Sequence, residues 1–186
     1  MEAILETERL KLRPLRDGDA QRITRFIGDF DVAKMLARVP YPYALKDAQD
    51  WLGTLPERTA RGEVFNRAID SGGLVGVLGI HDIRPIEGEK IGELGYWLAK
   101  PYWGKGLMSE AARAFVHYAF DGLGLAGLIS GHFKENQRSG RVLAKLGFRP
   151  AGEGLMHCTA RGEKVAHVDV FLTRARWSEQ TARRAA

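Results

Sequence analysis

Apolar and polar residues alternate along Arg9-Leu10-Lys11-Leu12-Arg13-Pro14-Leu15, the period of a half-buried strand, with Pro14 marking its end. Beyond it Ile23, Phe26 and Ile27 recur at helical spacing, and Asp17 or Asp19 stands where a helix cap belongs. Val39-Pro40-Tyr41-Pro42-Tyr43 follows neither period and reads as an irregular loop. Asp47-Ala48-Gln49-Asp50-Trp51-Leu52 opens a second helix, with Ala48, Trp51, Leu52 and Leu55 on one side and Pro56 interrupting its middle. Segments 63–69, 74–83 and 90–98 read as three successive strands. Ser71-Gly72-Gly73 is a tight turn between the first two, and 85–90 is a polar turn between the last two. Segment 74–83 is nearly all apolar, which predicts a central place in a sheet.

Leu107, Ala111, Ala114, Phe115, Tyr118 and Ala119 form one stripe of a helix over 107–120, stopped by Gly122 and Gly124. Segment 125–133 is a further strand. Asn136 is placed to cap a helix that buries Val142, Leu143 and Leu146 and stops at Gly147. Segments 148–156 and 165–173 close the chain as strands. The order is β, αα, βββ, α, β, α, ββ, with no repeat or linker. It predicts an α/β fold with a single mixed sheet and helices on both faces.

With 186 residues, 45% hydrophobic and 27% charged, the chain has the size and composition of one folded domain. Cys158 stands alone, which excludes an internal disulfide and fits a reducing cytoplasm. Met1–Glu6 lacks the basic and apolar regions of a signal peptide, and the longest apolar run, 73–80, is too short to span a bilayer. No membrane partner is expected. The net charge is +5, but four arginines against Glu179 give residues 174–186 +3 of it. The body is therefore only mildly basic, and a nucleic-acid partner is not expected. This divides the chain into a domain over 1–174 and an Arg-rich tail over 175–186.

Two constellations carry chemistry. Pro101-Tyr102-Trp103-Gly104-Lys105-Gly106-Leu107-Met108 joins a strand to a helix. Its glycines permit positive φ, and the first amides of the following helix point outward at the positive end of the dipole. Such a turn either cradles a pyrophosphate or simply connects two elements. It lacks the spacing of a Walker loop, and Ser109 replaces the third glycine of a dinucleotide turn. The second constellation is Asn136-Gln137-Arg138-Ser139 at the next helix. There Asn136 either caps or reaches a ligand, and Arg138, Arg141 and Lys145 form either a binding face or a solvated one.

The blocks Trp103-Gly104-Lys105-Gly106-Leu107-Met108-Ser109-Glu110-Ala111 and Asn136…Ser139…Leu143…Lys145-Leu146-Gly147-Phe148 resemble those of GNAT-superfamily N-acetyltransferases. The resemblance is to the RimJ/RimL-type branch in particular. Glu6-Thr7-Glu8-Arg9-Leu10-Lys11-Leu12-Arg13-Pro14-Leu15, Pro40-Tyr41-Pro42-Tyr43 with Asp47-Ala48…Trp51-Leu52, and Ile91-Gly92-Glu93-Leu94-Gly95-Tyr96-Trp97-Leu98 support it, so that it spans residues 6–174. It implies a twisted mixed sheet whose central strands splay to admit acetyl-CoA. Tyr96, Trp97 and Leu98 would hold the pantetheine by main-chain bonds. The amides of Trp103, Gly104, Lys105, Gly106, Leu107 and Met108 would hold the pyrophosphate, and Asn136 and Ser139 would border the thioester. The acceptor amine would enter beside residues 28–45.

Two positions depart from the superfamily. Pro101 stands where a Gln or Arg is usual, so one side-chain phosphate contact is missing. Leu143 stands where a tyrosine acid is usual; in this branch Ser139 is the implied substitute, binding the leaving thiolate. Glu93 is the candidate to take the amine's proton, and a strand glutamate facing solvent is its bland alternative. His81-Asp82 either faces the acceptor or is a satisfied strand-end pair. No histidine has zinc-ligand spacing, so no metal is expected. Asp29, Asp31, Asp82 and Glu87 are the candidates for an acidic rim that a basic protein N-terminus would need. The acceptor is expected to be the α-amine of a peptide or protein, with a small-molecule amine or a non-catalytic CoA-binding module as alternatives. Strand 165–173 or the Arg-rich end is the candidate contact for a homodimer, which the resemblance suggests.

Overall fold

The computed structural model describes residues 4–185; Met1–Ala3 and Ala186, part of the N-terminal and tail readings, lie outside them. Eight strands form one sheet: β1 (Leu5–Glu6), β2 (Lys11–Arg13), β3 (Phe65–Asp70), β4 (Leu74–Ile86), β5 (Glu89–Leu98), β6 (Gly127–Phe133), β7 (Arg149–Cys158) and β8 (Glu163–Thr173). Their spatial order is β1-β2-β3-β4-β5-β6-β8-β7. Every neighbouring pair is antiparallel except β5 and β6. The helices are α1 (Ala20–Ile27), the single turn α2 (Phe30–Ala33), α3 (Leu45–Ala60), α4 (Leu107–Asp121), α5 (Gln137–Leu146) and α6 (Arg174–Ala185). Among the described residues no helix is long and apolar enough to cross a membrane.

The sheet is covered on both faces, because its strands present apolar residues both ways. Ile23 and Ile27 of α1 and Ala48, Leu52 and Leu55 of α3 pack on Ala68, Leu74 and Val77. On the other face Ala111, Phe115 and Phe120 of α4, Leu143 and Leu146 of α5 and Trp177 of α6 pack on Ile69, Leu78, Leu94 and Leu128. The predicted α/β class and mixed sheet are thus found.

Several elements differ from the expectation. The strand expected over 9–15 contracts to Lys11–Arg13 and gains β1 as a partner, because Thr7 and Leu10 close a turn between them. Asp19 does not cap α1 with its side chain. It is spent on Arg13, with contacts of 2.8 and 2.7 Å, and on the Arg16 amide. α3 starts at Leu45 and runs through Pro56, whose exposed position leaves the buried face of the helix intact. The turn expected over 85–90 contracts to Glu87-Gly88. Both residues have positive φ, 51° and 82°, the geometry of a two-residue hairpin, and Pro85 pairs with Lys90 inside the ladder. The proposed tail forms α6, and Trp177 anchors it, 4% exposed, against Phe120. β8 lies between β6 and β7, so both of its edges are paired and the open edge at that end is β7.

Candidate active site

β5 and β6 pair in parallel only at Ile91, Gly92 and Glu93, opposite Gly127, Leu128 and Ile129. Past Glu93 they separate, and the Ser130 hydroxyl donates to the Leu94 carbonyl at 2.8 Å across the fork. β5 stays paired to β4, and β6 to β8. The sheet therefore divides into two halves with a cleft of 1050 Å3 between them.

The expected site residues converge on this cleft. Glu93, Tyr96, Trp97, Leu98, Trp103, Gly104, Gly106, Leu107, Met108, Asn136 and Ser139 all line it. Lys105 is the exception. Its ammonium lies 5.6 Å from the Tyr102 ring, and its carbonyl accepts from Arg9 at 3.1 Å. Gly104 and Gly106 take φ of 76° and 77°, so the turn enters α4 with the first amides of that helix unpaired within it. Arg9 also binds Glu110 of α4, which accepts from Thr7 as well. The N-terminal segment thus braces the turn from outside. From inside, the Trp103 indole donates to the Leu98 carbonyl at 2.6 Å, and the Arg138 guanidinium lies 4.9 Å from the Trp103 ring.

Asn136 caps α5, its side-chain oxygen accepting from the Ser139 amide at 3.2 Å. The cap aims the Ser139 hydroxyl back at the cleft, where it lies 2.9 Å from the Tyr96 hydroxyl. Burial pushes the Tyr96 phenol well above its ordinary value, so it stays protonated. Leu143 is 1% exposed and belongs to the core, so a hydroxyl reaches this part of the cleft from β5 rather than from the Leu143 position.

Side chains alternate along β5, so Glu93 and Tyr96 leave it on opposite faces and flank the fork from two sides. Glu93 shares its face with His81, its partner across the β4–β5 ladder, and its carboxylate lies 3.2 Å from Arg38. His81 precedes a bulge at which Asp82 takes φ 46°. Its ring lies over Gly95, with Cδ2 at 3.3 Å from where a side chain there would begin. Burial lowers its pKa, which favours the neutral imidazole. Beside it the buried Asn66 amide has no hydrogen-bond partner and sits over Gly79.

One side of the cleft, where the acceptor is expected, is walled by α2 and the loop after it. Lys100 binds Asp31 at 2.6 Å and Lys34 binds it at 2.5 Å, and these two cations hold the Asp31 carboxyl down at about 2. The buried Cys158 thiol donates to the carbonyls of Lys34 and Leu36, and the Thr159 amide to that of Ala37. The expected acidic rim is not a free one. Asp29 and Asp31 face Lys100, Asp82 faces Arg38, and Glu87 sits at the hairpin tip.

Sequence reasoning missed Arg38 and Asn66, gave Tyr96 a main-chain role only, and favoured a satisfied strand-end pair for His81. The alternation Val77, Gly79, His81 against Trp97, Gly95, Glu93 was the signal for His81. Nothing local signals Arg38, which arrives from a loop 55 residues away from Glu93.

Two strands that part around a cleft, with a glycine turn at a helix start beside it, define a class of mixed-sheet proteins with an opening between the strands of the sheet. A family model described as an acetyltransferase (GNAT) domain matches residues 9–149. The chain belongs to that family and is an N-acetyltransferase. It is 30% identical over 153 residues to the uncharacterized N-acetyltransferase YoaA of Bacillus subtilis, covering 80% of this chain and 84% of that protein. It is 27% identical over 185 residues to the [ribosomal protein uS5]-alanine N-acetyltransferase of Escherichia coli, covering 94% and 92%. Among solved structures, Mycobacterium smegmatis RimJ in complex with CoA-disulfide superposes with a TM-score of 0.81 at 22% identity, covering 93% of this chain and 87% of that one.

Proposed function

We propose that this chain moves the acetyl group of acetyl-CoA directly to the α-amine of a peptide or protein N-terminus. The observation that carries the reading is the fork after Glu93, flanked by Glu93 on one face and by Tyr96 and Ser139 on the other. The residues fit acetyl-CoA. The turn 103–108 offers unpaired amides and positive-φ glycines to a pyrophosphate, and the edge of β5 past Leu94, no longer laddered to β6, suits a strand-like pantetheine. Bound there, acetyl-CoA supplies an activated acyl group on a thiol leaving group.

The chain's residues do the rest. An α-amine has a pKa near 8 and is partly neutral at pH 7, whereas a lysine amine near 10.4 is a harder acceptor. Glu93, directly or through a water, takes the proton that the nitrogen loses. Ser139 hydrogen-bonds the departing sulfur. The homology to an enzyme named for a ribosomal-protein alanine supports a peptidyl acceptor. The single cysteine, a free buried thiol, supports a reducing cytoplasm as the working compartment.

Isothermal titration with acetyl-CoA, followed by thiol release against N-terminal peptides and small amines, tests the reading. Binding with turnover on peptides is expected. Turnover on small amines alone would overturn the acceptor. Binding without turnover would make the chain a CoA-dependent regulatory module, and absence of binding would remove the whole reading.

A further inference from the structure

We propose that Tyr96 is a positioning residue for the leaving-group step: its phenol donates to Ser139 Oγ, which turns the seryl hydrogen toward the departing CoA sulfur. The inference rests on the acetyl-CoA reading above. A serine hydroxyl is a free rotor unless a partner fixes it, and it offers one hydrogen and two lone pairs. The Asn136 cap engages only the backbone amide of Ser139, leaving the hydroxyl rotor unset. The phenol oxygen is 2.9 Å from Ser139 Oγ and 3.3 Å from the Ser139 carbonyl, so the shorter contact is to the hydroxyl. When the phenol donates its only hydrogen there, Ser139 accepts and its own hydrogen is left for the cleft.

Tyr96 gives up no proton in this scheme. Burial holds it as a phenol, which suits a fixed donor and not an acid that must ionise at each turnover. In the step itself the nitrogen–carbon bond forms and the carbon–sulfur bond breaks. The electron pair goes to sulfur, which accepts the Ser139 hydrogen bond as a thiolate and takes its proton from water after leaving. The amine's proton leaves by the opposite face, past Glu93.

The test needs no acceptor. Free CoA carries a thiol with a pKa near 8.5, and acetyl-CoA does not. The ratio of their affinities, measured by titration calorimetry from pH 7 to 9.5, therefore reads thiolate stabilisation. It divides out contacts to the rest of the cofactor, while His132, Arg138 and Arg141 near the start of α5 stay in place in every variant. In the wild type the ratio should rise by about tenfold toward CoA across that range, the worth of a hydrogen bond to a charged acceptor. In Tyr96→Phe it should rise less than about twofold, with acetyl-CoA affinity retained. Ser139→Ala should behave the same way, and the double variant should lose no more than either single one. A Tyr96→Phe ratio that rises as in the wild type, or more steeply, overturns the proposal, since Ser139 would then have been donating to the phenol. So does a Ser139→Ala ratio that still rises, a result that stands even if Tyr96→Phe does not fold. Wild-type protein that binds neither ligand fails the acetyl-CoA reading itself, which separates the two failures.

Discussion

At the residue scale, the chemistry of the cleft is set by what each group is denied. Leu143 is buried away from the cleft while Ser139 lines it, so the proposed hydrogen bond to sulfur rests on Ser139. A thiol is a good leaving group, so Ser139→Ala should lower kcat by about tenfold, not abolish it, with little change in acetyl-CoA affinity; steady-state kinetics decides. In the proposed reading Glu93 takes the amine's proton, and Glu93→Gln should cost about a hundredfold or more in kcat/KM on a peptide acceptor. His81 is partly buried, and it is faced by Glu93 and Asp82 and by Arg38 and Arg58. Its folded pKa lies below the unfolded value near 6.5, so the unfolded chain binds the proton more readily. Its contribution to stability is then fully present above pH 6.5 and is lost as pH falls below it toward the folded pKa. His81→Gln should flatten the fall of Tm between pH 7 and 5; an unchanged slope would remove His81 as its source.

At the scale of elements, short segments far from the cleft fix its edges. β1 and the turn after it appear peripheral, yet Thr7 and Arg9 hold Glu110 and the Lys105 carbonyl, and so hold the glycine turn. Arg9→Ala should weaken acetyl-CoA binding by roughly three- to tenfold through lost preorganisation, and leave the peptide KM nearly unchanged. The loop after α2, which lines the cleft, is fixed from the other side by the β7–β8 hairpin, through Cys158 and Thr159. These couplings were not legible in the sequence. The period of Arg9–Leu15 announced a strand, but the partner of Arg9 is 101 residues away. The helix starts at Gly106 and Asn136 were legible, because φ and cap chemistry act within a few residues.

At the scale of the molecule, the two halves of the parted sheet are held together because one helical layer, α4 to α6, packs on strands of both. α6 completes that layer. Trp177 sits against Phe120 and the α4 face, so Trp177→Ala should destabilise the fold by about 3–5 kcal/mol and lower Tm by roughly 10 °C in thermal melts. Composition marked this segment as a basic tail, since Arg174, Arg176, Arg183 and Arg184 dominate its charge. Its single tryptophan decides how it docks; the size of Trp177 marks it as an anchor, but a lone aromatic has no period to show which element it packs against.

The sequence by itself determined the class of fold, the positions of most strands and helices, the two glycine- and asparagine-led helix starts, and the family. All of these depend on interactions between residues close along the chain, or on motifs preserved in spacing. The tertiary structure alone decided that β5 and β6 part after Glu93, that Tyr96 meets Ser139, that Arg38 and His81 gather at Glu93, and that Asp29, Asp31 and Asp82 of the rim are already paired. Each of these joins groups 12 or more residues apart. Contacts of that range are fixed by how the strands register and the layers pack, and apart from the strand alternation that aligns His81 with Glu93 no local pattern encodes them.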